Sequence, residues 1–352
     1  MGVSGADAYA DFPIEEIRLV IAQKALESPS SALLAALDAE NLNKGLQKID
    51  RYACYIPPSK FSKASSDFLR LGINIFKYKS KLWISPDVGG PAERAGMPEI
   101  AILKAIGNTK LHSVNLAGIS KIIDKSIYEN YVIISVYDCS DKKEKNYKVE
   151  PVVFKSPTIT HRKVGGFTII RIREFVARET ANKLSDIYKT VIRSSNHVII
   201  DLRDCSGGDL YEAIEVASKF VPSGLLLVST QNHNGFTQAY HSPTDHKFPR
   251  PICLLIDHQT ASAGEILARI LQYYHFSLLV GERSFGKCVS QTFIPLSNGG
   301  GLWLTNLRIY FPDNQSCTAG KGFHADISYS NIKIANLSDI IKKVNRTILF
   351  PH

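Results

Sequence analysis

Residues 251–280 read PICLLIDHQTASAGEILARILQYYHFSLLV and contain the pattern that decides the fold. The apolar run over 251–257 predicts a strand, residues 262–274 show helical spacing, and 276–280 predicts a second strand. Strand, helix and strand in this order indicate a βαβ unit, whose two strands run parallel. The stretch therefore predicts an α/β sheet with both faces covered.

The same alternation extends on both sides of this stretch. Upstream, strands and helices are predicted in turn over Phe167–Ile172, Ala177–Ser194, His197–Leu202, Leu210–Phe220 and Leu225–Ser229. Downstream, Val289–Pro295 and Gly301–Phe311 are predicted to pair as strands, and Ser338–Val344 is predicted to form a helix. Residues 152–352 are thus predicted to form one core with a mainly parallel sheet covered by helices.

Two further regions precede this core. Apolar residues recur at helical spacing between Pro13 and about Tyr55, so residues 1–70 are predicted to be a helical region used for packing or oligomerisation. Residues 71–151 contain short β-like runs separated by turns such as Gly89-Gly90-Pro91. The fold class is therefore multidomain, with an α/β core, an inserted β domain and N-terminal helices.

Composition excludes several classes of protein. The 352 residues are 44% hydrophobic and 21% charged, as in globular proteins, and no apolar run is long enough for a transmembrane helix. The net charge of +9 is scattered, which does not favour nucleic-acid binding. The first thirty residues lack the pattern of a signal peptide, which fits a cytoplasmic protein or an exported form without its leader.

The cysteines give no sign of a metal site. All six are far apart and form no CxxC pair, so free buried thiols are expected rather than a zinc site or a disulfide framework. They are Cys54, Cys139, Cys205, Cys253, Cys288 and Cys317.

Ligands of an open α/β sheet bind beyond the carboxyl ends of its strands, and one such end carries Ser262 at the start of a helix. This serine is either a helix cap or a nucleophile whose oxyanion is stabilised by amides at the helix start. Thr260 replaces the first glycine of the G-x-S-x-G elbow, and no histidine is suitably placed for an α/β-hydrolase.

A second strand end leads into residues 281–288, GERSFGKC, which resemble a phosphate-binding loop. Such a loop must open a helix, whereas β-branched and aromatic residues follow here, so nucleotide binding is disfavoured. Lys287 is either a solvated turn residue or a buried general base that acts on Ser262. Gln291 reaches Lys287 only if the intervening chain is not a plain strand, since a strand would separate them by roughly 13 Å.

These motifs together resemble the C-terminal processing peptidases, also called tail-specific proteases, which are serine proteases with an embedded PDZ domain. The matching stretches follow the family order along nearly the whole chain. They are 71–75, LGINI; 90–97, GPAERAGM; 198–208, VIIDLRDCSGG; 260–265, TASAGE; 281–287, GERSFGK, with Gln291; and 305–310, TNLRIY, leading to Ala325-Asp326.

The resemblance implies a role for each matching residue. Ser262 would be the nucleophile, Lys287 the general base and Gln291 the residue that orients the lysine. The amides of Gly208 and Ala263 would form the oxyanion hole. In the PDZ domain, the loop of Leu71, Gly72 and Ile73 would receive the substrate's terminal carboxylate and gate the site. The core would have the ClpP/crotonase-like architecture, and no cofactor or metal is implied.

The resemblance also implies the biology of the protein. Its substrates would be proteins with apolar C-terminal tails, which it would cleave through an acyl-enzyme. It would be exported to the periplasm or cell envelope. It would form a homo-oligomer and could have an activator or adaptor protein as a partner. The alternative is a catalytically idle scaffold that binds C-terminal tails. Two departures from the family pattern, Cys205 and Cys288, predict sensitivity to thiol reagents.

Overall fold

The computed structural model describes the chain in twelve segments. They are residues 13–58, 69–78, 81–87, 89–98, 101–111, 116–139, 141–153, 157–164, 167–191, 197–243, 252–316 and 320–329. The chain divides into two compact units. Residues 1–63 and 158–352 form the first, and residues 64–157 form the second.

Helices and strands are numbered along the chain. The first unit begins with α1 (Ile14–Lys24), α2 (Ser31–Ala35), α3 (Leu42–Ile49) and β1 (Cys54–Ile56). The second unit contains β2 (Leu69–Arg70), β3 (Ile73–Tyr78), β4 (Lys81–Pro86), α4 (Pro91–Arg94), β5 (Ala101–Ile106), β6 (Thr109–Lys110), α5 (Leu116–Ser126), β7 (Val132–Asp138), β8 (Lys143–Val149) and β9 (Val152–Val153). The first unit resumes with β10 (Ile159–Val164), β11 (Phe167–Ile172), α6 (Thr180–Thr190), β12 (His197–Asp201), α7 (Leu210–Ser218), β13 (Leu226–Gln231), β14 (Thr237–His241), β15 (Ile252–Ile256), α8 (Ala263–Tyr273), β16 (Ser277–Gly281), β17 (Val289–Pro295), β18 (Gly301–Tyr310) and β19 (Ile327–Ser328).

The main sheet of the first unit has the order β10-β11-β12-β15-β16-β19. All its neighbouring strands are parallel except β10 and β11, which confirms the predicted mainly parallel sheet. Strand β15 is buried at every position, because residues on both faces pack in hydrophobic clusters. This explains why the strand is a continuous apolar run rather than an alternating one.

A second sheet joins the N-terminal segment to the same unit. Strand β18 pairs with β17 along its length and with β1 and β13 on its other side, all antiparallel. Buried Ile17, Ile21 and Leu46 of α1 and α3 pack in one cluster with Leu302 and Leu304 of β18. The N-terminal helices are therefore part of the unit that carries the α/β sheet.

The second unit is built on an antiparallel sheet of order β3-β4-β5-β7-β8, with β6 beside β5. Strand β7 alternates buried and half-buried residues, as expected for a sheet with one face on a core. Helices α4 and α5 contribute Ala92 and Ile119 to that core.

The sequence located most elements to within a few residues. The predicted helix over Ala177–Ser194 is shorter, at Thr180–Thr190, and the predicted helix at Ser338–Val344 lies outside the described residues. Strands β8 and β14 were missed, because their side chains are largely exposed and lack an apolar pattern.

Candidate active site

Ser262 stands at the sharp turn between β15 and α8, as the N-cap of that helix. Its backbone has φ 53° and ψ −120°, a conformation that a residue with a Cβ atom rarely adopts. Backbone strain of this kind costs about 1–3 kcal/mol and persists only where the surrounding structure enforces it. The strain sets Ser262 apart from an ordinary helix cap.

The loop after β12 brings two glycines against this serine. A Cβ atom on Gly207 would lie 2.7 Å from Ser262 Cβ, and one on Gly208 would lie 2.2 Å from the Phe175 carbonyl oxygen. Both glycines have positive φ, of 102° and 125°. Within the described residues, the N–H groups of Gly208 and Ala263 have no protein acceptor. These two amides are therefore available to a ligand oxygen.

We expect Gly207→Ala to destabilise the protein, because its Cβ would collide with Ser262 and with the Ala261 carbonyl. Overpacking of this kind costs about 1–3 kcal/mol of unfolding free energy. The matched control is Gly224→Ala, which has a similar φ of 83° but open space around the new Cβ. Denaturant unfolding of the two variants separates the collision from the strain of positive φ. Equal losses of stability would contradict the predicted contact.

The side chains of Lys287 and Gln291 are hydrogen-bonded to each other. Lys287 lies in the turn before β17, so the chain between the two residues is not a plain strand. Lys287 Nζ donates to Gln291 Oε1 at 2.7 Å, and Gln291 Nε2 donates to the Tyr52 carbonyl at 2.8 Å. The β17–β18 register also shifts between Ser290 and Gln291. The Lys287 amine is thus held by Gln291, which is itself held by the backbone carbonyl of Tyr52 just before β1.

The environment of Lys287 favours its neutral form. Burial lowers the pKa of Lys287 below its ordinary value, while the Asp50 carboxylate opposes this by favouring the charged amine. Within the described residues, Nζ makes its hydrogen bond to Gln291 and not to the Ser262 hydroxyl. Such bonds often tighten only when substrate is bound.

Strand β17 follows the Lys287 loop at the point where a phosphate-binding loop needs a helix, so these residues do not have the geometry of a phosphate-binding loop.

Glu265, in the first turn of α8, joins the serine to the lysine loop. Its fully buried carboxylate accepts four hydrogen bonds. The donors are the Ser262 N–H at 3.0 Å, the Lys287 N–H and the Gly286 N–H at 2.7 Å each, and the Ser284 hydroxyl at 2.6 Å. One side chain therefore ties the turn at Ser262 to the loop that carries Lys287.

Ser262, Lys287 and Gln291 line one cleft of about 340 Å³. Its other lining residues are Tyr52, Cys54, Ser206, Gly208, Leu210, Ile266, Val289, Ser290, Trp303 and Ile309. The cleft therefore combines an apolar wall with a hydroxyl, an amine and the backbone of Gly208, which suits an acyl-transfer reaction. No cluster of side chains suited to a metal occurs in the part of the chain that the structure describes.

The remaining predicted residues lie in the second unit. Leu71 is buried, and Gly72 has a φ of 61°. Their carbonyls accept hydrogen bonds from Ala92 and Asp87, whereas their own N–H groups have no protein acceptor among the described residues. Ile73 begins β3. The loop thus presents two backbone donors.

The prediction of free cysteines was wrong for one residue and is untested for another. Cys288 is disulfide-bonded rather than free, and Cys317 lies outside the described residues. Burial raises the pKa of Cys205 to about 12, so this thiol does not form a reactive thiolate near neutral pH. Neither residue therefore provides the predicted sensitivity to thiol reagents. The cysteine that lines the cleft is Cys54, which is half-buried and free.

Comparison with known proteins agrees with this arrangement. Residues 166–329 match the model of Peptidase family S41. A probable CtpA-like serine protease of Staphylococcus epidermidis strain ATCC 35984 is 25% identical over 324 residues, covering 90% of this chain and 61% of the relative. A protein of the same name from Staphylococcus aureus strain COL is 26% identical over 322 residues, covering 90% and 60%. The chain thus spans about three fifths of the length of these curated relatives.

Two solved structures share the fold. The photosystem II D1 C-terminal processing protease superposes with a TM-score of 0.58 at 18% identity, covering 97% of this chain and 98% of its own. A putative S41 protease from Bacteroides fragilis NCTC 9343 gives a TM-score of 0.66 at 16% identity, covering 92% and 91%.

The chain is thus similar in sequence to CtpA-like serine proteases and shares its fold with two proteases of known structure. Residues 166–329, which include Ser262, Lys287 and Gln291, are the part of the chain that is similar to peptidase family S41.

Proposed function

We propose that the chain is a serine endopeptidase in which Ser262 is the nucleophile, Lys287 the general base and Gln291 the residue that orients the base. The observation that carries this proposal is the cleft that the strained Ser262, Gly208 and the half-buried Lys287 line together. A lysine with a lowered pKa is neutral in a larger fraction of molecules, as a base must be.

The reaction follows from these positions. Neutral Lys287 Nζ takes the Ser262 hydroxyl proton as Oγ attacks the scissile carbonyl carbon. The resulting oxyanion accepts hydrogen bonds from the amides of Gly208 and Ala263. Collapse of the tetrahedral intermediate breaks the C–N bond, and the ammonium of Lys287 returns its proton to the leaving amine. Water, deprotonated by Lys287, then hydrolyses the acyl-enzyme and restores Ser262. Each step uses only the protein and water.

We further propose that the second unit is a PDZ domain that selects substrates by their C-termini. The N–H groups of Leu71 and Gly72, which have no acceptor among the described residues, and the adjacent β3 support this. PDZ domains bind a terminal carboxylate on backbone donors and pair the peptide with a strand. The structural relative named as a C-terminal processing protease is consistent with such substrates. The first unit is proposed to be of the ClpP/crotonase type.

The proposal extends to location and assembly. Export to the periplasm or cell envelope is supported by the disulfide at Cys288, since disulfides persist in oxidising compartments. No helix in the described segments is long and apolar enough to span a membrane. Homo-oligomerisation and a partner that activates or delivers substrates belong to the same proposal. The functional regions proposed are residues 1–70, 71–151 and 152–352, of which the first and the third share one compact unit.

One experiment tests both parts. The full chain and Ser262→Ala are incubated with an unstructured protein bearing an apolar tail, either as the free carboxylate or as the C-terminal amide. Mass spectrometry then identifies the fragments. We expect cleavage by the unchanged chain, faster for the free carboxylate, and none by Ser262→Ala. Ser223→Ala, an exposed serine elsewhere, is expected to cleave normally.

Each other outcome points to a specific alternative. Tail binding without cleavage by any form would contradict the peptidase proposal and favour the idle scaffold. Equal cleavage of the carboxylate and the amide would contradict recognition of the terminal carboxylate while leaving the peptidase proposal intact.

A further inference from the structure

Tyr52 contacts the proposed base from a distant part of the sequence. It lies between α3 and β1, more than 230 residues before Lys287, and it lines the same cleft. Its ring centroid is 5.0 Å from Lys287 Nζ, within the range of a cation–π contact. No local motif marks this tyrosine, so the sequence alone did not point to it.

Tyr52 is fixed on three sides. Its hydroxyl donates to the Gly286 carbonyl at 3.3 Å, and its own carbonyl accepts from Gln291 Nε2 at 2.8 Å. Its N–H donates to the Asp50 carboxylate at 2.9 Å. Asp50 in turn accepts from the N–H and the hydroxyl of Thr305 on β18. The ring is therefore held over the amine by the N-terminal segment and by β18 together.

We propose that Tyr52 is a positioning residue that holds Gln291 through its carbonyl and shields the Lys287 amine from water with its ring. This inference rests on the proposed function, because it assigns Tyr52 a role through the proposed base. By this role, the N-terminal segment is part of the catalytic machinery and not only a packing or assembly element.

The Tyr52 ring is expected to change the pKa of Lys287 in one direction only. An aromatic face attracts an ammonium, but far less strongly than the water that it displaces. The net effect of the ring is therefore to disfavour the charged amine, in line with burial as the main cause of the lowered pKa of Lys287. Removing the ring should raise that pKa toward its ordinary value.

Other charged or titratable side chains surround the amine and remain in the protein when the ring is removed. Those facing Lys287 or Tyr52 are Asp50, Arg51 and Cys54 of the N-terminal segment, Glu265 of α8, and Lys321, whose N–H lies beside Gly286. Replacement of Tyr52 alters none of these side chains. A shift in the titration of Lys287 in such a variant would therefore report on the ring itself.

The test measures the lysine directly. Trace acetylation with acetic anhydride modifies only neutral amines, so its pH dependence, read at Lys287 by mass spectrometry, gives the titration midpoint. We expect Tyr52→Leu to raise the midpoint by about one unit, which lowers the neutral fraction about tenfold below the midpoint. The acidic limb of peptide cleavage should move by the same amount. Tyr52→Phe keeps the ring and should retain the wild-type midpoint.

Controls keep the proposal falsifiable. Tyr128→Leu, at a residue that is 80% exposed, should change neither the midpoint nor cleavage of a short peptide. If circular dichroism shows Tyr52→Leu to be unfolded, Tyr52→Met replaces it. An unchanged or lowered midpoint in a folded variant would overturn the proposal, even if the cleavage rate fell. Since acetylation needs no activity, failure of the peptidase proposal would leave this measurement interpretable.

Discussion

Replacing Lys287 with methionine is expected to abolish detectable cleavage while leaving the protein folded. Methionine fills the same space but cannot accept the Ser262 proton, and loss of a general base costs about 10²–10⁴-fold in rate. Lys287→Arg is expected to be equally inactive, because a guanidinium is not deprotonated in proteins. The measurement is kcat/KM for a short peptide with an apolar tail, with circular dichroism to check folding.

The pH dependence of the wild-type chain follows from the same residue. Burial lowers the pKa of Lys287, so the neutral amine accumulates at lower pH than for an exposed lysine. Activity should therefore rise with pH and reach its plateau below the usual titration range of lysine. Lys189→Met, at a lysine exposed on α6, is the matched control and should retain this profile. Substantial cleavage by Lys287→Met would sink the assignment of Lys287 as the base.

Glu265→Ala is expected to cause the largest loss of stability, together with loss of cleavage. The variant leaves four donors without their acceptor, three of them backbone N–H groups at Ser262, Gly286 and Lys287. Each unsatisfied buried donor costs about 1–3 kcal/mol, so the unfolding free energy should fall by about 4 kcal/mol or more. Denaturant titration measures this loss. Glu265→Gln keeps the volume and should retain more stability, but its amide cannot accept from all four donors.

A second buried carboxylate, that of Glu212, serves as a control that distinguishes a loss of protein stability from a loss of active-site positioning. Glu212 on α7 is 4% exposed and accepts from the Ala181 N–H at 2.8 Å, away from the Lys287 loop. We expect Glu212→Gln to lower stability but to preserve the rate per folded molecule, whereas Glu265→Gln should lower that rate. The same rate in both variants would mean that Glu265 serves folding alone.

The α/β core of this protein could be predicted from its sequence, because short-range residue patterns mark its strands and helices. The continuous apolar run of β15 and the helical spacing of α8 predicted parallel strands and a covered sheet, and both are present. Ser262 and Lys287 were identifiable because each follows a strand end, where ligands of such sheets bind. Glu265 was not assigned a role, although the spacing Ser-x-x-Glu at a helix start is a known capping pattern.

Residue type and short-range spacing were enough to predict most helices and strands and the chemical candidates, since both depend on local features of the chain. Tertiary structure decided which of them meet. It brought Tyr52 over Lys287, gave Glu265 its four donors and tied Cys288 into a disulfide. These contacts join residues that are far apart in the chain, and no local preference encodes such a distance. They form only when the packing of sheets and helices brings distant loops together.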